Sequence, residues 1–566
     1  MSTSNLSSLI WSSADDVLRG LFKPHEYGSV ILPFVVMRRL DCTLERTKDQ
    51  VLATYEKHES DFDPTPVIKR QIGLPYFNRS KFDLSRLKQD PNNILLNFNN
   101  YLDGYSDDVL DILKNFKMDP LIEKLNENDS LYMLVDKFTE FDLHPEAIDN
   151  HQMGSVYEEL LRKFSEMSNE ESGDHFTPRD VVQLLVSMTF DPDKDKLQGK
   201  DKIRTIFDPC CGTGGILSIG KEWLLENVNQ DLVINLFGQE LNDTTYAICK
   251  SDMLMLSEEA TNIRGPKSSL KDDQFPGKKF NYMITNPPFG VSWKKETTFI
   301  KNEAKDPNGR FFAGLPRTSD GSLLFLQHLI HKMEPDGARI GIVFNGSPLF
   351  TGDAGSGESD IRKWILESDL LEAIIALPDR MFFNTGITTY LWLLSNKKSE
   401  ARKGKVQMID ASSFFSKMRK NLGDKGHEIS DNQKDTILSL YKDFEENEFC
   451  KIYPTEFFGY TKVVVEQPLI EDGQVKTDRS GKPKADSSKR NHERIPLLGD
   501  IDEYFSREVK PHLPDAWMDR SKDKIGYEIN FTKYFYKFVP LRPLDAIAAD
   551  LEALDYELAD LTKSIL

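Results

Sequence analysis

Hydrophobic and polar positions follow two different rhythms along this chain. From residue 1 to about 150, apolar residues recur every three or four positions, the period of amphipathic helices, and alternating stretches are few. In the segment Ser12-Ser13-Ala-Asp-Asp-Val17-Leu18-Arg-Gly-Leu21-Phe22, either serine fits an N-cap. Ile31 to Leu40 is apolar but for Arg38 and Arg39 near its end, which suits a packed core helix better than a nucleic-acid contact. Gly154 to Ser165 and Val181 to Met188 continue the helical period, and Thr177 with Pro178 fits an N-cap followed by proline at the first helical position.

At Ile203 the rhythm changes. Short apolar runs at Ile203–Phe207, Leu232–Phe237, Phe280–Thr285, Ala338–Asn345, Leu371–Leu377 and Ile387–Ser395 predict strands, and Ile216 to about Leu225 and Ser359–Glu367 predict helices between them. Repeated strand and helix units imply an α/β fold with a mostly parallel, doubly wound sheet. Residues 400 to 525 are polar and charged, and Asp472 to Arg494, rich in Gly, Lys, Ser and Asp, predicts an exposed loop or disordered linker rather than a DNA contact. At the end of the chain Leu544, Ile547, Leu551, Leu554, Leu558, Leu561 and Ile565 alternate spacings of three and four, a heptad seam. Asp and Glu flank it, and so short a seam calls for a partner helix, with packing onto its own domain as the alternative.

Composition narrows the class. A chain of 566 residues is long enough for three or four domains, each with a real core. Five cysteines, at 42, 210, 211, 249 and 450, show no metal-ligand spacing, which favours a reducing cytoplasmic setting and no metal. No apolar run is long enough for a bilayer, so no membrane role is expected. The net charge of -19 either aids solubility or means that any work on DNA needs a basic partner.

Candidate chemistry sits at the predicted strand ends. Ile203–Phe207 leads into Asp208-Pro-Cys-Cys-Gly212-Thr213-Gly214-Gly215 and then a helix, the arrangement that brings backbone and free helix amides to a nucleotide. The spacing is not that of dinucleotide folds and no lysine follows, so an adenosine ligand without a pyrophosphate fits better. Glu240, at the tip of the second strand, suits two ribose hydroxyls. After Phe280–Thr285, Asn286-Pro287-Pro288-Phe289 holds the chain extended, leaving the Asn286 side chain and the Pro287 carbonyl free to grip a planar amino group. In a doubly wound sheet these three features share one crevice.

Phe176-Thr-Pro-Arg179, then Asp208-Pro-Cys-Cys-Gly-Thr-Gly-Gly215, then Gly238-Gln-Glu240, then Asn286-Pro-Pro-Phe289, in that order, resemble the modification subunits of type I restriction-modification systems. These are DNA adenine N6-methyltransferases that use S-adenosylmethionine. The resemblance spans nearly the whole chain and implies a Rossmann-like methyltransferase core at 151–400. An all-helical domain at 1–150 precedes that core; a region with an exposed loop at 401–540 and a heptad helix at 541–566 follow it.

By matching residues, the resemblance implies that Asp174, His175, Phe176, Thr177, Pro178 and Arg179, with Gly212, Thr213, Gly214 and Gly215, contact the methyl donor. Glu240 would hold its ribose and Asp208 would face its methionine end. Asn286, Pro287, Pro288 and Phe289 would hold an adenine flipped out of double-stranded DNA, two carbonyl oxygens accepting its amino hydrogens and Phe289 stacking on the ring. Pro266-Lys-Ser-Ser269 departs from the acidic or amide residue that relatives often place there, leaving the contact to the cofactor's adenine open. The implied partners are a specificity subunit that reads the target, a restriction subunit, and a second copy of the chain. The alternatives are a self-contained adenine methyltransferase of a related phage-defence system and a catalytically silent cofactor-binding scaffold. A protein-glutamine methyltransferase carries a similar motif, usually ending in tyrosine, in a much shorter chain. Cytosine N4 enzymes usually begin that motif with serine.

Overall fold

A computed structural model of the chain describes residues 3–167, 177–255, 260–383, 385–471, 474–478, 481–536 and 543–565. The front of the chain is helical, as its periodicity predicts, from Thr3–Leu18 to Ser130–Thr139. At its centre Phe34 meets Phe98 at 5.8 Å and Phe138 at 5.3 Å. Ser12 and Ser13 lie inside the first helix instead of capping it; the Ser12 hydroxyl donates to the Leu9 carbonyl, the back-bond open to a mid-helix serine. Ile31–Leu40 lies in the buried helix Tyr27–Leu44. Its arginines tie down the following chain: buried Arg39 donates to the carbonyls of Leu143 and Ile148, and Arg38 to that of Phe141.

The second half is built on a nine-stranded sheet. Its strands are β1 (Ile203–Asp208), β2 (Val233–Gln239), β3 (Ile263–Arg264), β4 (Tyr282–Thr285), β5 (Arg339–Asn345), β6 (Leu371–Ala376), β7 (Thr389–Ser395) and β8 (Lys405–Asp410). A separate hairpin, β9 (Ser416–Leu422) and β10 (Lys425–Glu428), intervenes before β11 (Cys450–Pro454) completes the sheet. The order is β11-β8-β6-β7-β5-β4-β1-β2-β3. From β3 to β5 all pairs are parallel. β7 runs antiparallel between β5 and β6. Strand ends differ from the sequence reading by a residue or two; Phe280 makes only a bridge to Met333.

Residues 400–525 are more regular than their polarity suggests. β8 buries Val406, Met408 and Ile409, and a second antiparallel sheet joins β12 (Gly459–Glu466) to Asn491–Pro496, Trp517–Met518 and Lys524–Tyr527. Of the loop expected at 472–494, the described part includes an exposed two-residue pairing of Ile470–Glu471 with Gln474–Val475, while 472, 473, 479 and 480 lie outside the described residues. Contacts divide the chain into Met1–Ile529 and Asn530–Leu566; the second unit contains the 22-residue helix Leu544–Ile565. No described helix is long and apolar enough to cross a membrane.

Candidate active site

Strand order reverses between β1 and β4, with β2 and β3 on one side and β5 on the other. The carboxyl ends of β1, β2 and β4 therefore open on one crevice, where a cavity of about 630 Å³ lies. Its wall includes Thr177, Arg179, Gly212, Thr213, Gly215, Glu240, Asn286 and Pro288. Pro178, Asp208, Gly214, Pro287 and Phe289 belong to the same segments but do not line it, and Asp174, His175 and Phe176 lie outside the described residues.

Asp208 closes β1 and is fully buried. Its Oδ1 accepts the Cys210 N–H at 2.9 Å and the Thr285 hydroxyl at 2.6 Å, while Oδ2 has no partner among the described residues. Burial pushes its carboxyl up to about 7; the two hydrogen bonds oppose this and nearby Glu240 adds to it. In the loop that follows, Gly214 has φ +91°, and a Cβ there would stand 2.8 Å from Cys249 Sγ, so the turn requires glycine. Two amides of the loop that precedes the helix are taken up within the protein. Gly212 N–H donates to Glu240 Oε2 and Gly214 N–H to the Cys211 carbonyl, each at 2.8 Å. Glu240 Oε1 accepts the N–H groups of Leu241 and Asn242, also at 2.8 Å, so backbone donors fix this carboxylate at the cavity wall.

The turn after β4 carries the most informative geometry. Asn286 Nδ2 donates to Thr177 Oγ1 at 3.0 Å, and Asn286 Oδ1 is buried with no partner among the described residues. An amide has a donor end and an acceptor end, so anchoring the nitrogen aims the oxygen. Thr177 is thus not a helix cap: the helix begins at Arg179, Pro178 takes the cap position, and the threonine hydroxyl serves the amide. Gly290, at φ +63°, lets the chain leave the turn. Phe289 is half-buried with its ring tilted 74° to Phe382 at 6.1 Å. Arg179 meets Glu222 at 3.6 Å.

Several wall residues escape the sequence reading. Lys117, from the helical front, and Tyr157, from the helix Asn150–Met167, arrive through tertiary packing and carry no local signal. Asn242 caps the helix after Glu240, accepting from Thr244 and Thr245 N–H, and its place two residues beyond the acidic strand tip was legible. Ser268 and Ser269 form part of the wall, with the Ser269 hydroxyl donating to the Pro209 carbonyl. Beneath them buried Arg310 donates to the carbonyls of Ser269 and Leu270 at 2.8 and 2.7 Å and grips Glu303 through two 2.7 Å bonds.

Two buried acceptors have no partner among the described residues: Asn286 Oδ1, in the cavity wall that also carries the Glu240 carboxylate, and Asp208 Oδ2, next in sequence to the wall residues Pro209 and Cys210. That set of acceptors suits a cationic nucleoside and a planar amino group. The fold is that of the S-adenosylmethionine-dependent methyltransferases. The methyltransferase subunit of a type I restriction-modification system from Streptococcus thermophilus has the same fold, with a TM-score of 0.65, 24% identity and coverage of 81% of this chain and 97% of that one. The sequence model of N-6 DNA methylase matches residues 148–467, and that of the HsdM N-terminal domain matches residues 6–138. The chain belongs to the N-6 DNA methylase family, as a DNA adenine N6-methyltransferase of the type I modification-subunit class. Relatives include the type I restriction enzyme MjaIX methylase subunit of Methanocaldococcus jannaschii, 25% identical over 90% of this chain and 91% of that protein. The HindI methylase subunit of Haemophilus influenzae is 30% identical over 46% of this chain and 54% of its own length. These relationships favour neither the self-contained enzyme nor the silent scaffold.

Proposed function

We propose that the cavity holds S-adenosylmethionine against the glycine loop and that a flipped adenine enters beside Asn286. When bound, the cofactor supplies an electrophilic methyl group. Glu240 takes the ribose hydroxyls on the lone pairs its backbone donors leave open, Asp208 faces the cationic methionine end, and Ser268 and Ser269 bound the remaining wall. The observation that carries the reading is Asn286 Oδ1, a buried acceptor held open by the bond from Nδ2 to Thr177.

Adenine's amino nitrogen is a poor nucleophile because its lone pair is delocalised into the ring. Asn286 Oδ1 and the Pro287 carbonyl accept its two hydrogens and draw the lone pair out of conjugation, so that the turn works by position and fixed dipoles. Phe289, braced by Phe382, stacks on the base and offsets part of the unstacking cost of a few kcal/mol. Asn286→Ala is expected to lower methyl transfer from labelled cofactor to DNA by about 10³-fold or more while cofactor affinity changes little. Retained turnover in that variant rules the mechanism out.

In this reading the chain works in the cytoplasm with a specificity subunit that selects the target and a restriction subunit when DNA is cut. Two copies of the chain flank one specificity subunit. The type I methylase subunits among its relatives and its own acidity support that division of labour.

A further inference from the structure

The β9–β10 hairpin is the element that the catalytic reading leaves without a task. Its pairing is irregular: Lys425 opposes Leu422, then His427 opposes Lys417, so Met418 to Asn421 bulge out against Gly426 alone. Lys417, Arg419 and Lys420 on this strand are exposed, and so is Arg380, whose guanidinium lies beside Gly426. The nearest carboxylates on the supporting segments are already engaged, Asp180 with Lys425 at 3.1 Å and Asp379 with His427 at 3.0 Å. Asp424 at the turn and Glu428 at the far end of β10 are the hairpin's own exposed acids. With exposed Asp379 included, four exposed cations face three exposed acids, a local positive excess in a chain of net charge -19.

The hairpin is also fixed to the catalytic turn. Asp424 N–H donates to the Phe383 carbonyl at 2.9 Å, and the N–H groups of Gly426 and His427 both donate to that of Arg380. The neighbouring Phe382 contacts Phe289. On its other side Lys425 and the Ile429 N–H bind Asp180, in the first turn of the helix that Thr177 and Arg179 introduce. A basic bulge is therefore braced, through a few short contacts, against both segments that meet at Asn286.

We propose that this hairpin grips backbone phosphates of the duplex beside the flipped adenine, through Lys417, Arg419 and Lys420. The inference rests on the reading that adenine enters the cavity. Phosphate contacts position a duplex without reading its sequence, which suits a chain whose target is chosen elsewhere.

The test is the triple variant Lys417→Ala, Arg419→Ala, Lys420→Ala, assembled with its specificity subunit and compared with the wild-type assembly on its duplex. Losing three phosphate contacts should make the slope of log affinity against log salt shallower by about 2 to 3, and weaken DNA binding on the order of 10²-fold at 0.1 M salt. Turnover at saturating DNA and cofactor affinity should stay unchanged. An unaltered salt slope overturns the proposal, as does a variant that fails to assemble, which would make the hairpin a protein contact. A wild-type assembly that methylates no adenine sinks the reading of the cavity itself; normal methylation with identical salt slopes sinks the phosphate arm alone.

Discussion

With its carboxyl raised to about 7 by burial, Asp208 keeps a proton in the ligand-free protein at pH values where the unfolded chain, near 3.8, has lost it. The folded state then binds the extra proton, so stability falls as pH rises through that window, by up to about 1.4 kcal/mol per unit. A cationic ligand favours the ionised form instead, and its affinity should weaken as pH drops below 7. Asp208→Asn is expected to melt higher than the parent at pH 8 without ligand, and to bind cofactor more weakly with a flat pH profile; melting curves and titration calorimetry at pH 5.5 and 8 measure both. Thr177 acts on a different partner, the Asn286 amide. Thr177→Val removes the hydroxyl at constant shape, and turnover should fall on the order of 10²-fold with cofactor KM nearly constant, whereas Thr177→Ser should keep most of the activity. A rise in cofactor KM alone would mark Thr177 as a cofactor contact instead.

Among elements, the segment from Thr297 to Phe312 shows how a site is held by chain far from its motifs. The Arg310 guanidinium fixes the carbonyls of Ser269 and Leu270, is itself held by Glu303, and donates to Nδ1 of His328, which burial keeps neutral. A lysine keeps the charge but lacks the planar fork for five bonds. Arg310→Lys is therefore expected to raise cofactor KM about tenfold, more than it lowers turnover, and fluorescence titration against steady-state rates separates the two. None of this was legible in the sequence, where Arg310 lies forty residues from the carbonyls it binds and no periodicity marks it. The strands were legible because β6 and β7 are buried on both faces and so read as mainly apolar runs, β6 broken only by the buried Glu372 that pairs with Arg339. Glu240 and Asn286 were legible because strand ends bring polar groups to a known edge of the sheet. Thr177 was misread as a cap because a threonine before a proline has the same local pattern whichever acceptor role its hydroxyl takes.

For the whole molecule, charge and the last helix point the same way. A chain of net charge -19 repels a duplex at long range, and a single basic hairpin does not reverse that sign. The helix Leu544–Ile565 exposes Leu544, Ile547, Leu551 and Leu554 along one heptad seam, at 83%, 40%, 59% and 56% of their full accessible area. Aliphatic side chains at that spacing bury themselves against a partner helix, and an isolated helix of 22 residues with so narrow a stripe is only marginally stable in water. In the proposed assembly, a helix of the specificity subunit is the expected occupant of this seam. Leu551→Asp with Leu554→Asp places two further charges on the seam. Co-elution with the specificity subunit in size-exclusion chromatography should be lost, and with it DNA methylation, while cofactor binding and the melting temperature of the chain alone stay as in the parent. Co-elution that survives the double substitution would place the contact elsewhere on the molecule.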